Sequence, residues 1–382
     1  MSSNKKNLKN FNPYCLGFNQ FGKIGPVIWR RLENYFPDLK SAWQASSLEL
    51  EKAGLKSKLV TEFNQWRKTC NVFKLSEELI QEKINYLTWH DLSYPTILKE
   101  ISAPPPVLYY QGKLPAIDKK RLAVVGSRQH SAYAEKIIAE LLPTIITNGI
   151  EIVSGLALGV DTLAHQTTLQ AHGQTLAILG SGLKNIYPSF NRRLANEIIY
   201  AGGTIISEFA PLTPPYKQNF PQRNRLIAGI SQATLVIEAR EKSGALITAN
   251  YALEQNREVL AVPGNIFSEF STGPNNLIRA GAATITSSED ILNFFSTTSD
   301  PINNPPQQSL LEKTNYFKYL PENKAEAIIC EVIKRASERS EKITADEIIR
   351  HTHLDTATVN STLSILEIKG VIKNWAGNYL PV

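Results

Sequence analysis

The sequence predicts an α/β chain: a parallel, doubly wound sheet with a small helical unit before it and a helix-turn-helix module with a hairpin wing after it. Three observations predict this. Six short runs (122–125, 150–153, 176–179, 204–207, 234–237 and 259–262) are β-branched or aliphatic without alternation, the pattern of strands buried on both faces. Helix-period segments near 132–147, 160–172, 189–201, 221–230, 244–256 and 273–281 follow them, and strand–helix alternation builds a parallel sheet. The flanks differ in character, with helical spacing before residue 110 and a polar stretch rich in Asn, Pro and Gln after residue 296.

In chain order, residues 1–110 read as a bundle of short helices. Apolar residues recur at helical spacing from Val27, Ile28 and Trp29 through Leu32, Tyr35 and Phe36, and again across 48–66. Turns fall at Gly22, Gly25-Pro26 and Gly54. The string Gln20-Phe21-Gly22-Lys23-Ile24-Gly25-Pro26 resembles half of a helix-hairpin-helix, whose Gly-rich turn brings backbone N–H groups to DNA phosphates. A plain packing corner between two helices fits it equally. Ala103-Pro104-Pro105-Pro106 makes a stiff connection. Residues 111–296 hold the strand–helix alternation. Residues 297–322, with Asn303-Asn304-Pro305-Pro306-Gln307-Gln308, are expected to be a flexible linker.

Residues 323–382 read as three helices and a hairpin. The first helix covers 325–336. Thr344-Ala345-Asp346-Glu347 opens the second as an N-cap sequence, and 355–369 forms the third, ending at Gly370. Strands at 371–375 and 377–380 complete a winged-helix pattern. Its third helix is poor in cations, with Asp355, Thr356, Thr358, Asn360, Ser361, Thr362 and Ser364 on its polar surface. A protein-docking or dimer module therefore stands beside a DNA reader as its use.

Composition excludes several classes. At 42% hydrophobic and 20% charged residues, the 382-residue chain is neither disordered nor collagen-like. Cys15, Cys70 and Cys330 are far apart and form no CxxC pair, so neither a disulfide framework nor a cysteine zinc site is expected. Residues 1–12 are polar, without the apolar core of a signal peptide, and no long apolar run spans a membrane. A cytoplasmic protein is the expectation. The net charge of +6 permits a polyanionic partner without demanding one, so the placement of the cations decides.

That placement is informative. Small residues follow the predicted strands: Gly126-Ser127-Arg128, Ser154-Gly155, Gly180-Ser181-Gly182, Ser243-Gly244 and Pro263-Gly264. In an open parallel sheet these ends converge on one crevice, where backbone N–H groups and helix N-termini favour phosphate. Neither GxGxxG nor GxxxxGK[ST] occurs, so a dinucleotide fingerprint and a P-loop are both missing. The densest cationic segment is Lys217-Gln218-Asn219-Phe220-Pro221-Gln222-Arg223-Asn224-Arg225. An aromatic among cations suits single-stranded nucleic acid, with a base on the ring and charge along the backbone. The alternative makes Phe220 a core anchor and pairs the arginines within the sheet. Arg223 and Arg225, two apart, point differently, so one of them is expected to be structural.

Together these residues resemble the DNA processing protein A (DprA/Smf) family. The matching string is Val125-Gly126-Ser127-Arg128, Ser154-Gly155, Gly159-Val160-Asp161 with His165, Gly180-Ser181-Gly182, Tyr187-Pro188, Ser207-Glu208, Phe220 to Arg225, Ser243 to Ala249, and Pro263-Gly264. The resemblance implies an extended Rossmann-like domain, an N-terminal helical domain like a sterile alpha motif, and a C-terminal winged helix. It also implies a homodimer that binds single-stranded DNA and helps load a RecA-type recombinase during natural transformation. In the family, the arginine of the Gly-Ser-Arg turn and the lysine and phenylalanine of Lys-x-x-Phe-Pro contact DNA; here they are Arg128, Lys217 and Phe220. The expected DNA-binding set is Gly126, Ser127, Arg128, Ser154, Gly155, Lys217, Phe220, Arg223, Asn224, Arg225, Ser243 and Gly244. No catalytic residue, metal or cofactor is expected.

Two other classes compete. Related Rossmann-like folds hydrolyse nucleotides, but the Pro-Gly-Gly-x-Gly-Thr-x-x-Glu turn of that chemistry is absent from Glu238 to Gly244. Asp161, Glu208 and Glu238 remain open as crevice acids or as helix caps and partners of loop amides or arginines. A transcription regulator rests on the winged helix alone.

Overall fold

The computed structural model describes residues 12–114, 117, 119–297, 323–338, 343–352, 354–369, 371–375 and 378–381. The chain divides into two units, Met1–Ser299 and Asp300–Val382.

The first unit is organised by one sheet. Its strands are β1 (Asn85–Thr88), β2 (Val107–Gly112), β3 (Arg121–Val125), β4 (Glu151–Ser154), β5 (Thr175–Ile178), β6 (Thr204–Ser207), β7 (Ala233–Val236), β8 (Glu258–Ala261) and β9 (Ala283–Thr284). They lie in the order β1-β2-β6-β5-β4-β3-β7-β8-β9. From β3 to β9 all pairings are parallel, with Ala123 between Val153 and Thr234. Every residue of β3 to β7 is buried, which is why their sequences do not alternate. Side chains still leave the two faces in turn. Ala123 and Val125 pack with Leu226 and Ala249, whereas Leu122 and Val124 pack with Ile138, Leu142 and Ala164. The strand order reverses direction between β3 and β7, so the crevice at their carboxyl ends is the natural ligand site.

The sheet reaches further than the sequence reading. β1 and β2, within the stretch read as helical, add to the β6 edge in antiparallel fashion. Each is short, and β2 follows directly on the three prolines, so neither carries a strand signal of its own. A division at residue 110 would cut β2. The Tyr109 hydroxyl donates to Asn19 Oδ1 at 3.0 Å, tying the sheet to the helices before it. The two-residue β9 and the helix Ser288–Thr297 are also additions.

The helices before β1 are short, as expected, and close on aromatic rings. Phe18 stacks on Phe63 at 5.3 Å, and Trp43 meets both edge-on. Gly22 ends the first helix, Pro13–Phe21, at φ 73°, a left-handed conformation that favours glycine. In the following turn, Lys23 pairs with Glu62 at 2.9 Å.

The second unit contains helices Lys324–Glu338, Ala345–Thr352 and Thr356–Ile368 and a sheet of β10 (Ile343–Thr344), β11 (Ile372–Trp375) and β12 (Asn378–Pro381), ordered β10-β12-β11. Thr344 and Glu347 form the expected cap, Glu347 Oε2 accepting from the Thr344 amide at 2.8 Å. Ile329, Ile333, Ile348, Val359, Leu363 and Leu366 fill the core. The expected linker at 297–322 lies outside the described residues except for Thr297, which ends a helix. The turn at Ala376-Gly377 lies outside them as well.

Candidate nucleic-acid interface

The crevice beyond β3 and β7 is an open cleft of about 1810 Å³, including the solvent at its mouth. One wall is the turn after β3, Gly126-Ser127-Arg128. A Cβ on Gly126 would stand 2.6 Å from Val160 Cγ2, so only glycine lets the turn lie against the helix Val160–Gln170. The opposite wall is the approach to and first turns of the helix Asn219–Gly229, with Lys217, Phe220 and Asn224. Pro221 is tolerated there because first-turn N–H groups have no intrahelical partner. The third wall is Lys242-Ser243-Gly244, the start of the helix Gly244–Glu254.

The exposed charged groups of the lining are all cationic, and aromatic rings stand among them. The exposed Arg128 holds its guanidinium 5.7 Å from the centroid of the Phe220 ring. That ring is half-buried; a Cβ on Gly180 would be 2.7 Å from it, so glycine provides its seat. The Tyr187 ring stands 5.6 Å from it and is 47% exposed. Lys217 and Lys242 are exposed and have no carboxylate partner among the described residues. Gly244 has open space where a side chain would be, at a helix N-terminus capped by Ser243 Oγ, which accepts from the Ala245 amide at 3.3 Å. Asn224 Nδ2 donates to Gly244 O at 3.2 Å, joining the last two walls. Arg240 pairs with Glu269 at 2.7 Å and lies 4.7 Å over Phe270.

Beneath these groups lies a buried polar floor. Arg223 is 4% exposed; its Nη1 donates to Gly155 O at 2.8 Å and to Ile178 O, and its Nε to Asn224 Oδ1 at 3.2 Å. Burial lowers its pKa to about 10, so it stays charged at neutral pH. Asp161 accepts from the Gly155 and Ala157 amides at 3.1 and 3.3 Å; burial raises its carboxyl, and Arg223 opposes that shift. Asp161 is the one acid among the described lining residues.

Gly126, Ser127, Arg128, Lys217, Phe220, Arg223, Asn224, Ser243 and Gly244 all line the cleft. Ser154, Gly155 and Arg225, also expected on the interface, are buried and do not line the cleft. The Ser154 hydroxyl is fully buried and donates to Val124 O at 2.7 Å. Gly155 is covered by the Arg223 guanidinium. Arg225 pairs with buried Glu208 and donates to Ala103 O. Of the two arginines, then, both make internal bonds and only Arg223 reaches the cleft. The three acids weighed as catalytic are committed too: Asp161 to loop amides, Glu208 to Arg225, and Glu238 to the Ser131 amide at 3.0 Å and the Ser131 hydroxyl. Tyr187, quoted as part of the Tyr187-Pro188 motif but not placed in the binding set, lines the cleft, as do Arg240 and Lys242. Lys242 follows Glu241, so local charge hides it, and only its position before Ser243-Gly244 signals it.

Known proteins place the chain. The family described as DNA recombination-mediator protein A matches residues 85–296, and the DprA winged helix domain matches residues 340–378. Protein Smf of Synechocystis sp. is 35% identical over 390 residues, covering 95% of this chain and 97% of the relative. The X-ray structure of DNA processing protein A from Streptococcus pneumoniae superposes with a TM-score of 0.65 at 33% identity, covering 74% of this chain and 98% of that one. DNA processing protein A from Helicobacter pylori, whose structure concerns a single-stranded DNA binding mode, has a TM-score of 0.50 at 29% identity over 56% of this chain and 96% of its own. The first match starts at β1, in agreement with a sheet that begins there. By these matches, and by a switch-point cleft walled with its motifs, the chain belongs to the DNA processing protein A (DprA/Smf) family, the recombination mediators.

Proposed function

We propose that this protein binds single-stranded DNA along the cleft and, as a cytoplasmic homodimer, passes the strand to a RecA-type recombinase in natural transformation, catalysing no reaction itself. One observation carries the binding reading: the Phe220 ring, seated on Gly180, has Arg128 at 5.7 Å and Tyr187 at 5.6 Å in a cleft whose exposed charges are cationic. A ring for a base and cations for phosphates are what unpaired strands need. The ligand of the Helicobacter pylori relative supports the same reading. Recombinase delivery rests on membership of a recombination-mediator family. Homodimerisation is supported by the exposed side chains of Ile266 and Phe267 in the segment that follows β8. The committed roles of Asp161, Glu208 and Glu238 support a binder over a nucleotide hydrolase. No described helix is long and apolar enough to cross a membrane.

The test is binding to single-stranded and duplex DNA across a salt series. The expected result is a preference for single strands, with log affinity falling by about 0.7 per phosphate contacted for each unit of log salt. Equal affinity for duplex, or nucleotide hydrolysis without strand binding, would refute it.

A further inference from the structure

Beside the cleft, the chain leaves β5 through Gly180 and passes Tyr187 to reach Phe190, whose side chain is 82% exposed. A lone exposed aromatic is ordinary surface. Phe190 differs from the others in three ways.

First, it continues a series. Phe220 and Tyr187 are 5.6 Å apart and both line the cleft, and Phe190 follows Tyr187 by three residues. Three residues span at most about 11 Å. Stacked nucleotides in one strand rise by about 3.4 Å each. The backbone of Phe190 is thus within about 11 Å, some three such steps, of the backbone of Tyr187.

Second, its backbone is held. Asn191 is 2% exposed, and its Nδ2 donates to Leu156 O at 2.9 Å and to Thr162 Oγ1 at 2.8 Å. The Asn191 amide donates to Pro188 O at 3.0 Å, closing a tight helical turn over Ser189–Asn191. The next helix, Arg192–Tyr200, buries Leu194 and Ile198. Phe190 is therefore presented by a pinned loop rather than left over from an unpacked one.

Third, a cation follows it two residues on. Arg192 is exposed and forms no ion pair among the described residues, whereas the adjacent Arg193 is engaged with Glu197 at 2.8 Å. An exposed ring and an unpaired guanidinium two residues apart put on one short segment the two chemistries that Phe220 and Arg128 bring together in the cleft.

We infer that, given the single-strand reading of the cleft, Phe190 and Arg192 form an outer subsite, in which Phe190 stacks a base of the strand leaving the cleft and Arg192 meets its phosphate. The occupant is an unpaired polynucleotide without sequence preference, because any base offers a ring face.

The experiment compares oligothymidylates of increasing length, from one that fills only the cleft to one that runs past it. The parent protein is expected to gain affinity as length grows beyond the cleft. Phe190→Ala should remove that gain, weakening the long strand by about fivefold or more, while the shortest strand binds as to the parent. Phe190→Trp should keep the gain, and its added fluorescence should be quenched by the long strand alone. Arg192→Ala should weaken the long strand and lower its salt slope by about 0.7. If Phe190→Ala binds every length as the parent does and the introduced tryptophan ignores the long strand, the subsite is wrong, and the ring is left as surface for a protein partner. If the parent binds no strand of any length, the function reading itself fails, which is a separate result. At 82% exposure, Phe190 can be replaced without unfolding the chain.

Discussion

The guanidinium carbon of Arg128 lies 5.7 Å from the centroid of the Phe220 ring, bridging two walls of the cleft that are some ninety residues apart in the chain. The cation and the ring each constrain the other's position before any ligand arrives. Phe220→Ala is expected to weaken single-strand binding by about 1–3 kcal/mol, the usual worth of one stacked base. Phe220→Tyr should keep most of the affinity. Fluorescence anisotropy with a labelled oligonucleotide measures both, and an alanine variant that binds like the parent would contradict stacking.

Lys217 and Lys242 face the cleft from different walls without acidic partners among the described residues. Alanine at either should weaken binding to all sequences alike. Each loss should also make the salt dependence shallower by about 0.7, one phosphate contact. Loss of affinity with an unchanged slope would mean that the lysine acts on the fold and not on the strand.

Arg225 should behave in the opposite way. Its partner Glu208 is 9% exposed, and burial pushes that carboxyl up while Arg225 opposes the shift. Arg225→Met leaves a buried carboxylate unpaired, at a cost on the order of 3–5 kcal/mol in stability. Thermal unfolding should show a lower Tm, and the double variant Arg225→Met/Glu208→Gln should recover part of it. The folded fraction should bind single strands with parental affinity; selective loss of binding at parental Tm would put Arg225 back on the interface.

His165 gives the fold an acid-sensitive element. It is fully buried, and burial lowers its pKa to about 3, with the Arg223 charge adding to the effect. Thr175 Oγ1 donates to Ile152 O, so it accepts from His165 Nδ1 at 2.7 Å, and Nε2 is left without a partner. Between the ordinary histidine value near 6.5 and about 3, the unfolded chain binds a proton that the folded chain does not. Stability should therefore fall as pH drops through that window. Denaturant unfolding as a function of pH should show the slope, and His165→Leu should flatten it.

Much of the sheet was legible because its central strands are buried on both faces. Runs such as Leu122 to Val125 have no polar residue to hide them. β1 and β2 were not, because four residues from Asn85 and a run behind three prolines acquire strand character only by pairing at the β6 edge. The cleft was legible as a set of turns and cations, since each wall is a contiguous segment. Whether a given residue faces the strand or the floor was not. Ser154 and Arg225 look like ligands in sequence, but a neighbouring carbonyl and a buried glutamate claim them. Lys242 was lost among charges of both signs, and Tyr187 needed the fold to bring it to Phe220.

Arg223 has a mechanical meaning as well as an electrostatic one. One guanidinium clasps the chain just after β4 and the end of β5, and through Asn224 it is coupled to the first residue of the helix Gly244–Glu254. A base braced at those points cannot hinge shut on what it holds. If the cleft holds a single strand as proposed, the flexible partner does the bending: the strand moulds itself to a braced bed, and the entropy of ordering falls on the DNA and not on the protein.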